Sequence, residues 1–118
     1  MLLKVLRAKI HRAKVTEACV DYNGSITIDR DLMDAVGLVR GECVLVADMT
    51  DGARFETYVM EGKPGSGTVC INGAAARMVS VGDEVIIMAF GYVIDAEAAD
   101  IRSSIVLVND KNQVVRTL

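Results

Sequence analysis

Tyr22-Asn23-Gly24-Ser25 sets a nucleophilic hydroxyl directly after the least hindered carbonyl a chain can offer. Asn-Gly between two apolar-alternating runs is first a hairpin signal, because a type I′ turn needs two residues that accept positive φ. The serine adds something a turn does not require: its hydroxyl can attack the Gly24 carbonyl. Downstream, Arg54, Thr57 and Tyr58 supply a cation, a hydroxyl and a phenol. Asn72-Gly73-Ala74-Ala75-Ala76 supplies a stretch where backbone can approach a ligand closely. These are the parts of a small decarboxylation site. A guanidinium grips a carboxylate by two parallel hydrogen bonds, and a phenol keeps a proton to deliver at neutral pH.

The elements that must position these residues are short strands. Residues 2–22 favour strand through Val5, Ile10, Val15, Thr16 and Val20, although Lys4, Arg7 and Lys9 also suit a helix. Asp29 caps a short helix that Gly37 ends. Gly41-Glu42 opens a strand from Cys43 to Asp48, and Thr50-Asp51-Gly52 turns it back. From Arg54 to Met60 the alternation puts Arg54, Glu56 and Tyr58 on one face and Phe55, Thr57 and Val59 on the other. Thr57 and Tyr58 then need a bulge to reach one site. Lys63 to Gly67 is a loop, Thr68 to Ile71 a strand, Ala74 to Met78 one helical turn, and Glu84 to Phe90 a strand. Ile105 to Val108 is a late strand before a polar tail. Six or seven short strands with one or two short helices predict a mainly β protein, a small closed barrel. The order strand, helical link, Gly-acid, strand occurs twice, at Gly41-Glu42 and Gly82-Asp83, as in a duplicated barrel.

At 118 residues, 52% hydrophobic and 25% charged, the chain reads as one densely packed domain, with apolar surface left for neighbouring subunits. A net charge of −3 leaves no basic footprint for nucleic acid. No run is long enough to span a bilayer, and the N-terminus does not open a signal peptide, so a cytoplasmic protein is expected. Cys19, Cys43 and Cys70 fit no metal spacing and are expected to be reduced, each buried as a small hydrophobe.

Several motifs in order carry a resemblance. Lys9-Ile10-His11-Arg12-Ala13-Lys14-Val15-Thr16, Tyr22 to Ser25, Arg54-Phe55-Glu56-Thr57-Tyr58, Ile71 to Ala76 and Ser80-Val81-Gly82-Asp83 resemble the pyruvoyl-dependent aspartate α-decarboxylases. The likeness runs from Lys4 to about Ile94. It implies a six-stranded double-psi β-barrel, a homotetramer with sites between subunits, and production of β-alanine for pantothenate and coenzyme A. It also implies self-cleavage between Gly24 and Ser25, giving chains 1–24 and 25–118 and a covalent pyruvoyl group derived from Ser25. That ketone condenses with the amine of L-aspartate and serves as the electron sink. The resemblance makes Tyr58 the proton donor, Thr57 a contact of the self-cleaving peptide and the substrate, and Lys9 and Gly73-Ala74-Ala75 substrate contacts. On chemical grounds Arg54 is assigned to the β-carboxylate, which survives the reaction. Asn72 is a donor to the reacting carbonyl, Tyr22 a shaper of the turn, and His11 a structural residue. A maturation factor stands as an open partner. Ala47 and Asn23 depart from the family pattern, and Ala47 leaves a roomier pocket.

Two other readings compete. Ile26 to Val44 also looks like the unit of a DNA-binding swapped-hairpin barrel, which the acidic charge opposes. An amidohydrolase with an autoprocessed N-terminal nucleophile would keep the hydroxyl and the freed amine that pyruvoyl formation consumes.

Overall fold

The computed structural model describes all of residues 1–118. In chain order the elements are β1 (Leu2–Lys14), β2 (Glu17–Cys19), β3 (Ser25–Asp29), α1 (Arg30–Val36), β4 (Cys43–Asp48), β5 (Arg54–Gly62) and β6 (Val69–Asn72). A 3₁₀ turn (Gly73–Met78) follows, then β7 (Glu84–Ile94), α2 (Asp95–Ala98), β8 (Ser104–Val108) and β9 (Val114–Thr117). The strands run in the order β2-β6-β3-β5-β4-β7-β1-β8-β9.

Two stretches each serve two neighbours. β5 pairs antiparallel with β4 through residues 54–58, then parallel with β3 through residues 59–62. The β1–β2 stretch does the same, antiparallel on β7 and then parallel on β6. At each crossover a valine meets a Gly-acid corner. Val59 N–H donates to the Glu42 carbonyl at 3.0 Å, and its own carbonyl accepts from Gly41 N–H at 2.7 Å. Val15 repeats this with Asp83 and Gly82 at 2.9 and 2.8 Å. The repeated Gly-acid motif is therefore one corner built twice, and both glycines take left-handed φ (84° and 96°) that a side chain would strain. Thr16 N–H donates to the Val69 carbonyl at 2.8 Å and closes the ring. Six segments form that ring; β8 lies outside it against β1, and β9 pairs with β8 at the far edge.

Alternation along the strands fills the barrel. Ile26, Ile28, Val44, Val46, Val59, Val69, Ile71, Val85 and Ile87 are all fully buried. Helix α1 packs Leu32, Met33 and Val36 against this core. Its cap residue, Asp29, accepts from Asp31 N–H and also from Gly65 and Gly67 N–H, which pins the loop before β6. Arg7 holds β1 to the α1–β4 link through both Glu42 carboxylate oxygens and the Gly37 carbonyl.

Four expectations need correction. Asn23-Gly24 is not a hairpin turn: β6 lies between β2 and β3, and neither residue has positive φ. Cys19 and Ser25 are the two partners of Asn72, so residues 20–24 arch over the end of β6. A hairpin pattern presumes that the flanking strands are neighbours, and here they are not. The polar tail contains β9, an exposed edge strand with one partner and hence no buried face to leave an alternating pattern. Only Cys70 is buried; Cys19 and Cys43 are exposed, and all three thiols are unpaired. No bulge interrupts β5. No helix is long and apolar enough to cross a membrane.

Candidate active site

The arch over β6 is the centre of the site. Ser25 is only 3% exposed and begins β3 opposite Asn72. Asn72 Nδ2 donates to Ser25 Oγ at 3.0 Å and to Thr27 Oγ1 at 3.2 Å, while its Oδ1 accepts from the Cys70 thiol at 3.2 Å. Sequence reasoning put this amide on the reacting carbonyl; the structure puts it on the Ser25 hydroxyl oxygen, which it holds in place. Gly73 follows in left-handed backbone, φ 78°. A Cβ there would fall 2.7 Å from Gly24 Cα, 3.0 Å from Gly24 N and 3.3 Å from the Tyr22 carbonyl. Close approach at Gly73 thus serves the Gly24 main chain itself, and Tyr22 contributes its carbonyl to the arch while its side chain is exposed.

Strand β5 brings the next residues. Its parallel pairing with β3 begins at Ile26 and Val59, so Thr57 and Tyr58 immediately precede the first paired residue of β5, as Gly24 and Ser25 immediately precede that of β3. Thr57 is half-buried on the barrel side, and Tyr58 is 42% exposed on the outer face. The two point to opposite faces of β5, as the uninterrupted alternation requires. Arg54 shares the outer face with Tyr58, and its guanidinium has no ion-pair partner, unlike Arg7, Arg12 and Arg30. Its neighbour across β4 is Ala47, too small to cover it. Arg54 and Tyr58 are four residues apart, ~13 Å along a strand, so Arg54 must extend toward Tyr58 for one small dicarboxylate to touch both.

Other residues stand apart. Lys9 on β1 pairs with Met88 and Ile105. Its side chain makes no hydrogen bond or ion pair within the chain, whereas Ser25 is bonded to Asn72. Ala74 is exposed and Ala75 half-buried on the 3₁₀ turn, one and two residues past the Gly73–Gly24 contact. His11 Nδ1 is buried without a partner, and burial, reinforced by Lys9 and Arg12, pushes the imidazole pKa down. No group of His, Cys, Asp and Glu could hold a metal ion. Thr27 and Cys70 were missed in the sequence. Their signal is the period of two: Thr27 follows Ser25 and Cys70 precedes Asn72 on the same outer face, and the two are paired across β3 and β6.

Comparison with known proteins bears on the family and the fold. The aspartate decarboxylase family profile matches residues 1–115. An aspartate 1-decarboxylase of Caldicellulosiruptor saccharolyticus is 53% identical over 116 residues, covering 98% of this chain and 91% of that one. One of Bacillus cereus is 51% identical over 118 residues, covering 100% and 93%, and one of Corynebacterium efficiens is 54% identical over 115 residues, covering 98% and 85%. Among solved structures the computationally designed double-psi barrel msDPBB_sym2 aligns with a TM-score of 0.52 at 22% identity, over 75% of this chain and 99% of that one. The barrel is thus of the double-psi kind that the motifs implied, and the chain belongs to the aspartate decarboxylase family.

Proposed function

We propose that the chain cuts itself between Gly24 and Ser25 and then removes the α-carboxyl of L-aspartate, yielding β-alanine and CO2 for pantothenate and coenzyme A synthesis. The observation that carries this reading is Ser25 Oγ, held by Asn72 at the start of β3, next to a glycine carbonyl under a glycine-lined arch. Ser25 Oγ attacks the Gly24 carbonyl, the C–N bond breaks, and the hydroxyl proton ends on the freed nitrogen, leaving an ester. Elimination across Ser25 releases the Gly24 carboxylate, and hydrolysis with loss of ammonia leaves a ketone at position 25. Thr57, two residues before the β5 residue that first pairs with β3, polarises the carbonyl under attack.

The residues present suit a pyruvoyl group: it needs a serine after an unhindered carbonyl, and Gly73 leaves room there that a Cβ would fill. Such a ketone supplies an electron sink for loss of CO2. The rest falls to side chains. Arg54, free of internal partners, binds the surviving β-carboxylate; Ala74 and Ala75 border the substrate beside the arch; Tyr58 holds the proton that replaces CO2. Residues 17–24 are exposed throughout, so a cut after Gly24 frees the arch to move off buried Ser25.

Lys9 contributes from a second copy of the chain, in a homotetramer with sites between subunits. Two features support this: a Lys9 side chain without a hydrogen bond or ion pair in its own chain, and large apolar side chains left exposed at Val39, Val81 and Tyr92. Three unpaired thiols suit a cytoplasmic setting. Intact mass spectrometry tests the central step. Fragments 1–24 and 25–118 should appear, the larger lacking an α-amine and reactive with hydrazides, and Ser25→Ala should stay whole and inactive. A fully active, uncut protein overturns the proposal.

A further inference from the structure

We propose that Cys70 is a positioning residue for the Gly24–Ser25 cut, its thiol fixing which end of the Asn72 amide faces Ser25. The inference rests on the self-cleavage reading above. The two ends of a carboxamide have nearly the same shape, so hydrogen bonding alone decides its orientation. On one side Asn72 meets the hydroxyls of Ser25 and Thr27. A hydroxyl donates or accepts, so those two tolerate either end. On the other side it meets Cys70 Sγ, 3.2 Å from Oδ1. That contact is asymmetric, because a protonated thiol has a proton to give and sulfur is a poor acceptor.

The thiol keeps its proton. Cys70 is 7% exposed, and burial with Glu17 and Cys19 nearby pushes its pKa to about 11. Glu17 Oε2 competes for the proton only from 3.9 Å. With Oδ1 occupied by Cys70, the two Nδ2 protons fall on Ser25 Oγ and Thr27 Oγ1. Ser25 then attacks with its oxygen steadied by a donor and its own proton pointing away from Asn72, free to travel to the nitrogen released. In the flipped amide Ser25 would instead spend that proton on Oδ1, and its oxygen would have no donor.

The test compares freshly purified full-length wild type, Cys70→Ser and Cys70→Val, following fragment appearance by intact mass and thermal stability by calorimetry. Serine keeps a donor, whereas valine fills the site without one. Valine should slow cleavage about fivefold or more, the scale of one lost hydrogen bond, with its Tm at or above that of wild type. Serine should cleave within about twofold of wild type, the residual spread expected when a donor is retained. Cys70→Ala provides the same comparison should valine prevent folding. Cleavage of the valine or alanine variant at the wild-type rate, or a serine variant as slow as either, overturns the role of Cys70. A wild-type chain that never cleaves overturns self-cleavage itself, and this inference with it.

Discussion

Replacing Gly73 with alanine tests whether the arch over β6 positions the scissile bond. Two costs arise. Alanine at φ 78° pays about 1–2 kcal/mol for the left-handed conformation. The new Cβ would also lie 2.7 Å from Gly24 Cα, where ordinary contact begins near 3.4 Å. Both partners are tied to main chain, so no rotamer relieves the clash, and Gly24 or Gly73 must yield by about 0.7 Å, the difference between those two distances. A total of ~2–3 kcal/mol leaves a domain of ordinary stability folded, with Tm lowered by roughly 5–10 °C. Displacing a reacting carbonyl on the ångström scale is far more damaging to rate, costing on the order of 100-fold.

The expected outcome is a folded Gly73→Ala chain whose conversion to fragments 1–24 and 25–118, followed by intact mass, is slowed by about 30- to 100-fold. Gly65→Ala is the matched control. Its φ is 77°, yet its added Cβ meets only Asp31 Oδ2 at 3.9 Å. It should lower Tm by the conformational cost and leave cleavage unchanged. Equal slowing in both variants would reduce the effect to general destabilisation. A Gly73→Ala chain that cleaves at the wild-type rate would refute the positioning argument.

Other substitutions separate the remaining roles. Arg54→Lys keeps the charge but loses the bidentate fork, and should raise KM for aspartate by roughly 10-fold or more, the scale of a charged hydrogen bond; an unchanged KM refutes the assignment. Tyr58→Phe should cleave normally yet release β-alanine about 100-fold more slowly, the range of general acid catalysis, and wild-type release would pass the proton to another group. Asp48 is fully buried, its Oδ2 makes no hydrogen bond, and burial beside Asp83 pushes its pKa up. The folded state therefore binds a proton that the unfolded state has released, and stability falls as pH rises from the ordinary carboxyl range through the raised value. Asp48→Asn keeps the acceptor for Thr50 N–H and should raise Tm at pH 7–8, with the gain shrinking toward pH 4. Parallel pH profiles for the two proteins would refute it.

The chemistry of the site was more legible than its geometry. Ser25 after Gly24, and Arg54 alternating with Tyr58, are facts of type and local period that strand geometry preserves. The meaning of Asn23-Gly24 was not local. Whether those residues make a hairpin depends on whether β2 and β3 are neighbours, and β6, whose residues lie about fifty positions downstream, is inserted between them. The role of Gly73 was hidden for the same reason, since its partner is the Gly24 backbone and no pattern around residue 73 announces it. Strand β9 was hidden because an exposed edge strand buries no face. The Gly-acid echo, by contrast, was visible because each corner demands a left-handed glycine beside a main-chain bond to a crossing valine.

That duplication also gives a reason for the proposed cut to fall before β3. Each half of the barrel leads into an inner strand, β3 in one and β6 in the other, and both must be reached by a connecting loop. The loop before β6 is pinned: Asp29 accepts from Gly65 and Gly67 N–H, and Asn112 Nδ2 donates to the Gly67 carbonyl at 2.8 Å. Gly67 is moreover backed by the Lys111 carbonyl, which a Cβ would approach to 2.7 Å. Residues 20–24, before β3, are exposed throughout, and a Cβ on Gly24 would meet nothing within 4 Å. The arch is packed tightly only from beneath, by Gly73. Self-cleavage asks for this asymmetry: the scissile carbonyl must be held from one side while the segment leaving it stays free on the other. Anchoring the arch as the second loop is anchored, for example by a disulfide from residue 21 to a neighbouring strand, should permit the cut yet keep residue 25 covered. Fragments would then form without β-alanine production until the disulfide is reduced; full activity in the oxidised, cleaved protein would show that the arch need not move.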